Sequence, residues 1–205
     1  MLELAISTFT TLFVVVDPIG TAALFAAMTQ GGTYAYKRRM AWRSTLIAAI
    51  ILMIFTLLGG WLLSTLGIGL AAFRVAGGIL LFFMSMDMVF ARPSGLRSTT
   101  IIENQEAEHK EDISVFPLAI PLLAGPGAIT TMLLLSSDAD RPTVTIVLVV
   151  MLIVVAATLL AFLLATRMMH VIGVTGANVI GRVLGVLLAA LAVQFVLDGL
   201  RTSLF

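Results

Sequence analysis

Two short Pro/Gly motifs carry the chemistry this sequence offers: Asp17-Pro18-Ile19-Gly20 and Gly125-Pro126-Gly127-Ala128. Proline has no N–H, and its ring clashes with the carbonyl four residues earlier, so a helix does not run through it unbroken. Asp17 is a good N-cap and Pro18 a good first helical residue; Gly125 and Pro126 take the same two places in the second motif. Each motif predicts a helix that stops and restarts. A restarted helix presents free amides and a partial positive charge, which suit a carboxylate. The expected donors lie around Gly20–Thr21 and Gly127–Ala128. Carbonyls ending the preceding halves, near Val15–Val16 and Leu123–Ala124, suit an ammonium or a cation. A zwitterion fits both, and the surrounding glycines and alanines favour a small one.

Other residues join these with weaker claims. Ile19, Thr21, Thr130 and Thr131 flank the breaks; the threonines either contact substrate or satisfy freed carbonyls. Asp17 is one of few acids at depth. Capping alone explains it, and binding of substrate or a coupling H⁺ or Na⁺ is the functional alternative. Arg74 and Arg182 open their spans and either snorkel or serve in gating. Gly77, Gly78, Gly181 and Gly185 predict close helix packing, and Gln194 needs a partner, for which the cavity is one candidate. Asp87 and Asp198 stand near span ends, where the interface solvates them.

The elements that position these residues follow from composition. The 205 residues are 60% hydrophobic and 11% charged, with mean hydropathy +1.12. An ordinary soluble domain carries about 25% charged residues, so this chain cannot cover a water-facing surface. Six apolar runs of spanning length are expected at about 4–29, 45–66, 69–90, 114–137, 143–166 and 177–200. A net charge of +1 without a basic patch excludes a nucleic-acid partner. The absence of cysteine excludes thiol chemistry. His109 and His170 fall in expected connections, and neither HExxH nor a Walker A sequence occurs, so neither an enzyme nor a metal site is expected. Met1-Leu2-Glu3 lacks the positive start of a cleaved signal peptide.

Connections 31–44, 91–113 and 167–176 share one side and hold eight Lys or Arg, against Arg141, Arg201 and Arg74 opposite. The positive-inside rule puts them in the cytoplasm of an inner-membrane protein, with both termini outside. The acidic stretch 103–112 predicts a solvated loop.

The prolines are 126 − 18 = 108 positions apart, and the same offset relates Arg74 to Arg182, Val75 to Val183, Gly77 to Gly185 and Leu80 to Leu188. A duplication of three spans reverses direction in its second copy, as recurs in secondary transporters. The expected fold class is an all-α membrane protein. Its six transmembrane helices form two inverted three-helix repeats, helices 1 and 4 being broken at mid-membrane. It is one transmembrane domain over 1–205: repeat 1 at about 1–90, a cytoplasmic loop at 91–113, and repeat 2 at about 114–205.

On these residues the chain resembles the MarC family of six-span membrane proteins, which includes SnatA-type small neutral amino acid transporters. The matching pieces are Val16 to Gly20, Phe116-Pro117-Leu118-Ala119-Ile120-Pro121 running into Ala124-Gly125-Pro126-Gly127, the segment Arg74 to Leu80, and Arg182 through Gln194 with Asp198-Gly199. The resemblance implies transport of glycine, alanine and similar solutes, with substrate contacts at Asp17–Thr21 and Gly125–Ala128. The expected function is secondary active transport by alternating access, with direction and coupling ion open. The alternatives are a channel for small solutes or ions and a non-transporting membrane assembly protein. The lipid bilayer is the expected surrounding, and a homo-oligomer is an open expectation.

Overall fold

Helix ends fall where backbone chemistry requires them. The computed structural model describes residues 1–90, 112–137 and 139–204, and every regular element among them is helical. Helix α1 (Leu2–Val16) stops at Asp17 and α2 (Pro18–Met28) starts there. Helix α3 (Tyr34–Thr65) begins at Thr33, whose hydroxyl accepts from the Tyr36 amide at 3.2 Å. Helix α4 (Leu70–Phe90) follows a turn through Gly67, at φ 67°. The stretch Ser114–Leu123, called here the proline segment, is no continuous helix: Phe116 (φ −127°, ψ 126°) and Ile120 (φ −124°, ψ 127°), each before a proline, are extended. Leu118 N donates to Ile113 O and Ala124 N to Ala119 O, each five residues back. Pro117 and Pro121 prevent a tighter winding. Helices α5 (Pro126–Ser136), α6 (Arg141–Leu163) and α7 (Ala165–Leu204) follow, the last interrupted at Gly173 with φ 69° and ψ 170°.

Five helical stretches are long and apolar enough to cross a membrane, with α1 and α2 together forming one of them. The number is six if the proline segment and α5, bent by 56°, make one span. Two expected connections prove helical. The 31–44 stretch is helix from Tyr34, so Lys37, Arg38, Arg39 and Arg43 stand on the first turns of α3. The 167–176 stretch is helical apart from the break at Gly173, so Arg167 and His170 also stand on a helix. Lysine and arginine are good helix formers; polarity marks where the bilayer ends, not where the helix does. The expected loop residues Arg92, Arg97, Glu103, Glu106, Glu108, His109, Lys110 and Glu111 lie outside the described residues.

Asp112 ties the proline segment to α3. Its carboxylate accepts from the hydroxyl and the amide of Ser114 and pairs with Arg43. The two Ser114 bonds, with the Arg43 guanidinium beyond them, hold the carboxyl below its usual range.

Helix α3 buries mainly small residues, together with Met40, Leu52 and Leu63. On α3 the buried face holds Ala41, Ser44, Thr45, Ala48, Thr56 and Gly59, while Leu46, Ile50, Leu57 and Trp61 are exposed. Lipid tails are as apolar as leucine, so close backbone approach rather than hydrophobicity holds the helices together. The inward hydroxyls of Thr29, Thr45, Thr56 and Thr158 are satisfied locally, each donating to the carbonyl four residues earlier.

Helices α4 and α7 meet most extensively, and glycine makes the contact. A Cβ at Gly78 would lie 2.7 Å from the Ala192 carbonyl oxygen and 3.0 Å from Val196 N; one at Gly185 would meet Met88 and Val89. Gly181, expected to pack likewise, has nothing within 4 Å of its would-be Cβ. Gly78→Ala should therefore destabilise by about 1–3 kcal/mol through overpacking against backbone. Gly181→Ala should stabilise by about 0.5–1 kcal/mol through helix propensity. Thermal unfolding in detergent reads both, and equal shifts would contradict this packing.

Candidate functional site

The two breaks share one apolar core that includes Val14, Val15 and Val16 before the first and Leu122, Leu123, Ala124 and Ala128 around the second. Helix α1 packs on α5, and α2 on the proline segment, so each half before one break meets the half after the other. Both breaks therefore lie within the same packed set of helices.

At the first break Asp17 is buried and left-handed, with φ 46° and ψ 74°. Aspartate is among the few non-glycine residues that adopt this conformation readily. It is the sole non-glycine residue with positive φ among those described. Its Oδ1 accepts from Gly20 N at 3.0 Å. Its main-chain oxygen accepts from the Thr21 amide at 3.0 Å and from the Thr21 hydroxyl at 2.8 Å. The carboxylate lies so close over Gly20 that a Cβ there would collide with Oδ2. This half-helix end already holds an anion, its own. The expectation that Gly20 and Thr21 offer free amides to a substrate is corrected accordingly; Ile19 is half-buried in the same turn.

The second break has the same scaffold without that cap. Gly125 is extended (φ −77°, ψ 172°) and has no side chain with which to cap α5. A Cβ would lie 2.3 Å from the Pro121 carbonyl oxygen, so the glycine is required by space rather than by dihedral angle. The helical series starts with Ile129 N donating to Gly125 O. Pro126 has no N–H, and the amides of Gly127 and Ala128 find no acceptor among the described residues. Both residues are buried, whereas Pro126 is exposed. Thr131 spends its hydroxyl on the Gly127 carbonyl at 2.8 Å. Thr130 is buried with its methyl against Gly77 of α4, and Met84 and Leu81 of α4 lie against Gly127.

The remaining expected residues divide. Gly77 and Gly78 are buried on α4, the former against α5, and Arg74 is half-buried on the same helix. Gly185 is buried against α4. Arg182 is exposed on α7. Gln194 is also exposed there, its Nε2 donating to Asp198 Oδ1 at 2.8 Å, so its partner is not the core. Nothing in the sequence pattern singles out Thr8, whose buried hydroxyl alone lacks a partner among the described buried side-chain atoms. It stands nine residues before Asp17 on α1, about 13 Å along the axis. A lone threonine in an apolar run carries no signal of its own.

Helices of spanning length, an outward apolar surface and two proline-started half-helices in one core define an integral, multi-pass membrane protein. Comparison with known proteins is specific about which kind. The family model described as "MarC family integral membrane protein" matches residues 2–204, and the chain belongs to that family. It is 36% identical to a UPF0056 membrane protein of Archaeoglobus fulgidus, over 97% of this chain and 92% of the relative. It is 34% identical to UPF0056 membrane protein YvbG of Bacillus subtilis, over 98% and 96%. Identity to UPF0056 membrane protein YhcE of Escherichia coli is 34%, over 94% and 90%. Those names state membrane residence and no substrate. No solved structure matches the chain.

Proposed function

We propose that the protein is a secondary transporter of small neutral amino acids, of the glycine and alanine class, working by alternating access. The observation that carries this reading is the contrast between the breaks: the Asp17 carboxylate caps the first half-helix through Gly20 N, whereas Gly125 brings no side chain to cap Gly127 and Ala128 at the second. A substrate carboxylate would cap the second as Asp17 caps the first, and the Asp17 charge would attract the ammonium. Gly127 is covered by Met84 and Leu81 of α4, flexible side chains that would turn aside to admit a small solute. Asp17 is also the residue at which H⁺ or Na⁺ would couple.

Alternating access needs two related halves, and the helix pairings support reading the chain as inverted repeats. Helix α2 packs on α7 as α5 packs on α4; α3 on α5 as α6 on α2; α1 on α6 as the proline segment on α3. Rocking one half against the other would expose breaks near the bilayer midplane to each side in turn. By the positive-inside rule, the basic start of α3 and Arg167 face the cytoplasm of the inner membrane, with both termini outside.

Counterflow in proteoliposomes tests the reading. Vesicles loaded with unlabelled glycine should take up labelled glycine transiently above equilibrium, competed by alanine and not by lysine or glutamate. Absence of counterflow for every small neutral amino acid, with and without H⁺ or Na⁺ gradients, would overturn it.

A further inference from the structure

The outer face of α7 carries polarity that neither the core nor the proposed site uses. Its spanning part, Thr175–Ser203, is the least covered of the candidate spans: 17% of its most apolar window is buried, against 33–56% elsewhere. Gln194 lies five residues from the middle of that stretch, about 7.5 Å along the axis. That is well inside a hydrocarbon layer about 30 Å thick. One of its N–H groups goes to Asp198 Oδ1. Its other N–H and its carbonyl oxygen remain at the exposed surface, where lipid tails offer no partner. The fold does not require this polarity, because the positions 108 earlier are Met86 and Phe90.

We propose that α7 is a dimerisation helix, its partner a second copy of this chain related by a two-fold axis along the membrane normal. Val183, Leu187, Ala190, Gln194, Leu197 and Arg201 are all exposed and spaced four, three, four, three and four residues apart. That spacing forms the seam of two parallel helices. A glutamine amide is self-complementary across a two-fold axis, each carbonyl oxygen accepting from the other copy's Nε2. Small Ala190, one turn away, lets the backbones approach closely enough for that bond. Charge agrees: Arg201 forms no ion pair among the described residues and stands three positions past Asp198. In a parallel pair Arg201 faces Arg201 of the other copy, so each guanidinium must reach back one turn to the other copy's Asp198 carboxylate to be neutralised.

The chain contains no cysteine, so single-cysteine variants need no cleared background. In liposomes at high lipid-to-protein ratio, Ala190→Cys should form a disulfide-linked dimer on oxidation, and Leu57→Cys, exposed on α3, should not. Adding Gln194→Leu to Ala190→Cys should weaken dimerisation about three- to twenty-fold, the range that one interhelical side-chain hydrogen bond supports in a membrane. Fluorescence energy transfer between labelled copies measures that constant, and Gln194→Asn should recover part of it. The monomer should unfold at an unchanged temperature, because Gln194 buries nothing in the bundle. Cross-linking at Ala190 no faster than at Leu57, or a dimerisation constant indifferent to Gln194→Leu, would overturn the proposal.

Discussion

Gly125→Ala is expected to destabilise the protein by about 1–3 kcal/mol, as overpacking against fixed atoms does, and to abolish glycine counterflow. The added Cβ would lie 2.3 Å from the Pro121 carbonyl oxygen and 3.5 Å from its carbon. Both belong to the backbone, so no rotamer change relieves the contact. The chain would have to open the 56° bend between the proline segment and α5. Opening it would move the Gly127 and Ala128 amides, and misplacement by about 1 Å is enough to lose a well-oriented interaction. Gly127→Ala makes the comparison. There the new methyl meets Met84 Sδ at 2.8 Å and Leu81 Cδ2 at 2.9 Å, both ends of side chains that can turn. It should cost less stability and impair transport while leaving the fold intact. Thermal unfolding and counterflow on the two variants separate the cases, and a Gly125→Ala protein as stable as the original would refute the packing argument.

Asp17 gives the second large effect, and its variants should rank by two requirements. The position needs an acceptor for Gly20 N and a residue tolerant of φ 46°. Asparagine meets both, so Asp17→Asn should unfold within about 0.5 kcal/mol of the original. Alanine meets neither. It loses about 1 kcal/mol of capping and takes on about 1–2 kcal/mol of left-handed strain, giving a loss of roughly 2–3 kcal/mol. Transport then isolates the charge. If the carboxylate attracts the substrate ammonium, the stable Asp17→Asn protein should show a rise in the apparent KM for glycine of at least about ten-fold, the equivalent of 1.4 kcal/mol. Full counterflow in Asp17→Asn would reduce Asp17 to a helix cap and remove it from the proposed site.

Much of the architecture was legible without coordinates because it rests on local properties. Pro18 and Pro126 end helices wherever they stand, since a missing N–H does not depend on neighbours. The six apolar runs announce lipid-embedded helices for the same kind of reason. Basic residues misled where they marked the bilayer edge: Lys37-Arg38-Arg39 read as loop and is helix, because Thr33 caps α3 a full turn before them.

What the sequence by itself determined, then, is the all-helical membrane class, the positions of the proline restarts and the 108-residue offset. Tertiary structure decided which of those features face what. It turned the Asp17 carboxylate onto Gly20 and left Gly127 and Ala128 without a cap, although the two motifs look alike in sequence. It also turned Gln194 outward onto Asp198 and Gly185 inward against Met88, on one helix. The physical reason is the solvent. A helix in water shows its buried face as an apolar stripe, whereas lipid is as apolar as the core, and side-chain polarity no longer tells inside from outside. Only the packing of the other helices supplies that direction.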